Sequence, residues 1–191
     1  MYSVMMYDFY PATFAVVYGV ILFVLFLIRK FTRRRRNPFI FSALFALYLQ
    51  CLFKFTMLPI LVPLPGEELS MTDAVPWTQF IPFHWLFNGE LNMRQIVGNF
   101  VLLIPLAFFI RRILGQQKRQ HIQLKTFLCC AAVSAGIEVG QLLINVLTNY
   151  PNGVMDIDDF ILNCAGAAAG VLLFGLLENR RCLKSQKQSC V

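Results

Sequence analysis

Charge is what this sequence has least of. Only 14% of its 191 residues are Asp, Glu, Lys or Arg, whereas 58% are hydrophobic. An ordinary soluble domain has about 25% charged residues. A mean hydropathy of +0.62 leaves more apolar surface than a water-soluble fold can hide, so the chain is expected in lipid. Acids are scarcer than bases, 10 against 17, for a formal charge of +7. That excess does not point to nucleic acid, because the bases gather at the ends of apolar runs, as in membrane orientation. Reactive motifs are missing too. The six cysteines (Cys51, Cys129, Cys130, Cys164, Cys182 and Cys190) form no CxxC pair and read as free thiols, not disulfides or metal ligands. There is no HExxH, no P-loop, and no serine or cysteine nucleophile motif. The opening MYSVMMYDFY has no positive charge, and no small-residue cleavage site ends the first apolar run. A retained first helix is expected instead of a cleaved signal. No internal repeat or low-complexity linker divides the chain, so one compact domain is expected.

What is present is a series of apolar runs, each near the ~20 residues that cross a bilayer as a helix. They cover Pro11 to Ile28, Pro38 to Val62, Ile96 to Ile110 with its neighbours, Thr126 to Leu147, and Ile157 to Leu177. The expected fold is all-α: a polytopic membrane helix bundle of about five transmembrane helices. Basic clusters at 29–36, 111–125 and 180–187 fall on one side if all five runs cross. The positive-inside rule then sets the N-terminus out and the C-terminus in. Asp8, Glu67, Glu68, Asp73 and Glu90 all fall on the outer side. The chain divides into a first helix with its basic loop (1–37), a membrane domain (38–177) and a basic cytoplasmic tail (178–191). The long outer loop carries Trp77, Phe80, Phe83, Trp85 and Phe87. Residues 76–90 read either as an interfacial or partly re-entrant segment or as an ordered cap.

Strongly polar groups inside a membrane are expensive, so each needs a reason. At ~1.5 Å rise per residue, Lys54, Asn99, Glu138, Gln141, Asn145, Asp158, Asp159 and Asn163 all fall in the outer half of their runs. Nothing comparable occupies the inner half. Glu138, Gln141 and Asn145 share one helix face, which Ser134 extends inward, and Asp159 and Asn163 share another, joined by Asp156 if the helix starts early. Each has a structural reading as well. Lys54 can snorkel or pair with Glu138, and Gln141 and Asn99 can be interhelical glue. The three aspartates suit a helix N-terminus, and His84 suits the interface. Gly166 and Gly170 form GxxxG, which predicts close packing against the fourth or first run.

These residues resemble the VanZ-like family of bacterial membrane proteins. The matching pieces are Thr56 to Pro59, Ile81 to Phe83, Asn99 to Leu106, Glu138 to Gln141, and Asp156 to Gly166 with Gly170 after it. They cover about 56–170 in the family's order. Two positions depart: Gly153 stands where the family usually has arginine, and Ala107 where it often has glycine. The resemblance implies a multi-pass protein of the bacterial cytoplasmic (plasma) membrane, linked to the cell envelope and to low-level resistance to the glycopeptide teicoplanin.

Three functions compete. In the first, an outer-leaflet polar site binds a membrane lipid headgroup, a lipid-linked cell-wall precursor or a lipoglycopeptide. Lys54 would face phosphate, with Asn99, Glu138, Gln141 and Asn163 as hydrogen-bonding groups. In the second, Asp156, Asp158, Asp159 and Glu138 hold Mg²⁺ or Mn²⁺ for a lipid-directed enzyme. Glu138, Asp159 and His84 are then the catalytic candidates. In the third, a small transporter, the apolar inner half leaves no through-path unless an oligomer supplies one.

Overall fold

The computed structural model describes residues 4–31, 38–64, 76–84, 92–115 and 119–189; side chains at 119–120 and 179–189 are outside the description. Arg33 to Arg36, Glu67, Glu68, Asp73, Glu90, Trp85 and Phe87 therefore lie outside the described residues. Five stretches are long and apolar enough to cross a membrane: Pro11–Phe31, Phe39–Met57, Met93–Leu114, His121–Thr148 and Ile157–Glu178. The chain is an all-α, five-span membrane protein. Its residues form two compact units, one made of Met1–Trp77 with Val139–Val154 and the other of Thr78–Glu138 with Met155–Val191.

The first unit starts with strand β1 (Val4–Tyr7), followed by helices α1 (Pro11–Phe31) and α2 (Phe39–Met57) and strand β2 (Ile60–Pro63). Helix α1 has no buried residue, and Val16 and Phe23 are more than half exposed. An apolar helix that buries so little inside its own protein suits a lipid surround. The second apolar run does not continue as helix to Val62. It ends at Met57, and its last residues pair antiparallel with β1, Tyr7 opposite Ile60 and Val4 opposite Pro63. Short strands inside an apolar run leave no periodicity to separate them from the helix before them.

The second unit holds β3 (Thr78–Gln79), helices α3 (Met93–Leu102) and α4 (Ile104–Leu114), most of α5 (Arg119–Thr148), β4 (Met155–Asp156) and α6 (Ile157–Ser189). Helices α3 and α4 are one span interrupted at Leu103, whose ψ of 0° breaks the helix where Pro105 enters its first turn. Proline has no N–H for the preceding turn, and its ring crowds the carbonyl four residues back. Helix α6 packs along this broken span. A Cβ on Gly166 would overlap the Phe100 carbonyl oxygen, and one on Gly170 would stand 2.9 Å from that of Ile104 and 3.0 Å from the Ala107 Cβ. The GxxxG face thus meets the third span, not the fourth or first, and only hydrogen at both positions allows that approach. The opposite ends of these helices are tied by Arg111. It bonds Glu178 at 2.6 Å and the Gly115 carbonyl at 3.2 Å, and it lies over the Phe174 ring.

Candidate functional site

In the second unit, the starts of α3 and α6 meet the segment 78–84. The parallel pair Thr78–Met155 and Gln79–Asp156 leads the chain straight into α6. Asp156 caps that helix: its Oδ1 accepts the Asp158 N–H at 2.8 Å. Its own N–H donates to Oε2 of Glu138 at 2.9 Å. Burial holds the Asp156 carboxyl above its ordinary range, with the Asp158 N–H opposing. Asp158, 4% exposed, accepts the Phe83 N–H at 2.5 Å through one oxygen and the His84 N–H at 3.0 Å through the other. It fixes a turn in which Phe83 takes a positive φ of 59°. Both carboxylates are therefore employed in holding backbone.

Asp159 is employed differently. Its Oδ1 accepts from Gln95 Nε2 at 3.0 Å, and the Asn99 amide faces it from the next turn of α3. Asn92 caps α3 by accepting the Gln95 N–H. Between these groups lies a polar cavity of about 120 Å³, lined by His84, Asn92, Gln95, Asp156, Asp158 and Asp159 with Ile96 and Leu162. Gln95 and Asn92 were not singled out from sequence. The signal was there: Gln95 stands one turn before Asn99 on the same face, and N-x-x-Q opens a helix. Asn163, 1% exposed, lies one turn deeper on α6, and its Oδ1 has no partner among the described residues. Among the described residues no group of three or more His, Cys, Asp or Glu is arranged to hold a metal ion.

A profile of the VanZ/LLP1 family matches residues 45–178. The chain belongs to the VanZ/LLP1 family. The match takes in every residue of this cavity. No curated protein and no solved structure matches the chain significantly.

The residues expected at the outer site come from both units. Glu138, Asp156, Asp158, Asp159, Asn99, Asn163 and His84 belong to the second unit, and Lys54 and Gln141 to the first. Lys54 pairs with Asp8 at 3.3 Å and donates to the Phe9 carbonyl. Gln141 donates to the Thr56 carbonyl at 3.1 Å. Asn145 folds the following loop back onto its own helix, accepting the Asn152 and Gly153 N–H groups and donating to the Gly153 carbonyl at 2.6 Å.

Proposed function

We propose that this VanZ/LLP1 membrane protein acts in the bacterial cell envelope by binding a polar headgroup in the acidic cavity at the start of α6. The headgroup belongs to a membrane lipid, a lipid-linked wall precursor or a lipoglycopeptide of the teicoplanin kind. The observation that carries the reading is the lining: three carboxylates with His84, Asn92 and Gln95 around about 120 Å³. Acceptors dominate it, so the ligand supplies donors, an ammonium or hydroxyl group. At ~30 Å³ per liquid water, the cavity takes one polar end of a headgroup and not a whole sugar. Asp159 and Gln95 are the principal contacts. Asp156 and Asp158 set the walls, and Glu138 holds the Asp156 N–H. The positive-inside pattern supports an outer-face position for this cavity, where wall precursors and glycopeptides are met.

Two of the three aspartates accept backbone N–H groups, which weakens the metal-enzyme reading, because oxygens committed to backbone are poor ligands for Mg²⁺ or Mn²⁺. The test is native mass spectrometry of the purified full chain beside Asp159→Asn and Gln95→Leu, with teicoplanin susceptibility of the same strains. A lipid-sized adduct lost in both variants, with loss of protection, is the expected result. A bare protein, or an adduct indifferent to both substitutions, overturns the reading.

A further inference from the structure

The first unit contains a second cavity, of about 290 Å³, where the end of α2 and β2 face the last turns of α5 and the loop after it. It is made by hydrogen bonds that hold two segments apart at fixed spacing. The Asn152 side chain behaves as a one-residue strand against β2, its Oδ1 accepting the Leu61 N–H at 2.5 Å and its Nδ2 donating to the Leu61 carbonyl at 3.1 Å. One helix turn before Asn145, Gln141 Nε2 donates to the Thr56 carbonyl at 3.1 Å. That bond fixes the amide, since the reverse orientation would set two oxygens against each other. Gln141 Oε1 is then buried with no partner among the described residues.

The rest of the lining decides what could answer that oxygen. No charged side chain is in it, and the walls are half polar and half apolar, the apolar part including Met57, Leu61 and Ile144. The Asn152 amide is already engaged on both atoms. A charge would enter without a counter-ion, at a cost that burial makes large. A Cβ on Gly153 would make ordinary contact, its nearest neighbours being atoms of the Gln141 side chain at 3.7 Å.

We propose that this cavity is a second binding site, independent of the acidic one, for a neutral hydroxyl- or amide-bearing group carried on an apolar body. The ligand donates to Gln141 Oε1 and lays its hydrocarbon against Met57 and Ile144. Its volume is near the lower end for small-molecule pockets, which begin at about 300 Å³. A sugar or glycerol hydroxyl with the first carbons of its chain fits that space, from a neutral lipid or from a free polyol.

The experiment is native mass spectrometry of the full chain titrated with glucosyl diacylglycerol, with anionic phosphatidylglycerol and with glucose. It compares wild type, Gln141→Leu, Gly153→Met and Asp159→Asn, each first checked for a single size-exclusion peak and a cooperative melt. Gln141→Leu keeps the volume and deletes the acceptor, whereas Gly153→Met fills the space and keeps Gln141. The glycolipid is expected to bind wild type and Asp159→Asn alike, and at least about fivefold more weakly in the other two, as when a buried donor loses its acceptor. Displacement by glucose assigns the site to a polyol head alone, and no displacement assigns it to the intact lipid. Preference for phosphatidylglycerol, or glycolipid binding unchanged in both cavity variants, overturns the proposal. Loss in Asp159→Asn alone would place the lipid in the acidic cavity and equally overturn it.

Discussion

Gly166 lies so close beneath Phe100 that a Cβ on it would overlap the Phe100 carbonyl oxygen. Backbone cannot yield as a flexible side chain can, so α6 must move away from the third span to admit even one methyl group. Overpacking typically costs about 1–3 kcal/mol. Gly166→Ala is expected to lose at least that much and to lower the melting temperature in detergent. Gly136 has nothing within 4 Å of its Cβ position and lies within α5, so Gly136→Ala is the control, neutral or stabilising by up to about 1 kcal/mol. Equal losses in both variants would show that close approach is not what Gly166 provides.

Asp158 spans 74 and 75 positions of sequence to take the N–H groups of His84 and Phe83. Asparagine keeps one acceptor oxygen and turns the other into a donor facing an N–H. Leaving one buried N–H unpaired costs about 1–3 kcal/mol, spent locally. Asp158→Asn is expected to speed amide hydrogen exchange at Phe83 and His84 at least about fivefold, with α5 unchanged. Unaltered exchange there would mean that the turn holds itself.

The spans were legible in the sequence because a bilayer demands one thing of each, a long apolar run, and composition reports that directly. The strands were not. Ile60–Pro63 is as apolar as the helix before it, and β3 and β4 have two residues each, too few to show a period. The site was half legible. Polar residues in apolar runs marked Asp159, Asn99 and Glu138, but which aspartate faces the cavity depends on backbone partners far away in sequence. Glu138 shows the limit: a carboxylate in an apolar run reads as a ligand group, yet its Oε2 holds the Asp156 N–H that starts α6. Gln95 was hidden because its partner is 64 positions distant and it sits at a loop boundary, where glutamine is unremarkable.

The basic clusters at 29–36, 111–125 and 180–187 make an outward N-terminus the orientation to test. A cysteine introduced at position 73 is expected to react with a membrane-impermeant maleimide on intact cells, and one at position 118 only after permeabilisation. The opposite pattern would put the acidic cavity on the cytoplasmic side and remove wall precursors and glycopeptides from its reach.

Lys54 tests the division of labour between the two units. Its amine is 3.3 Å from Asp8, with the two side chains 30% and 24% exposed. Partial exposure lets solvent screen the pair, so Lys54→Gln is expected to cost only about 1 kcal/mol. The extra bond to the Phe9 carbonyl adds to the order of the segment before α1. Asp8→Asn should cost less than Lys54→Gln, because the amide still accepts and the carbonyl still receives the amine. Neither change should alter a headgroup adduct held by Asp159. If Lys54→Gln abolished that adduct while the melting temperature stayed within a degree or two of wild type, Lys54 would be a ligand group after all, and its pairing with Asp8 would be the resting arrangement of a residue that turns to its ligand.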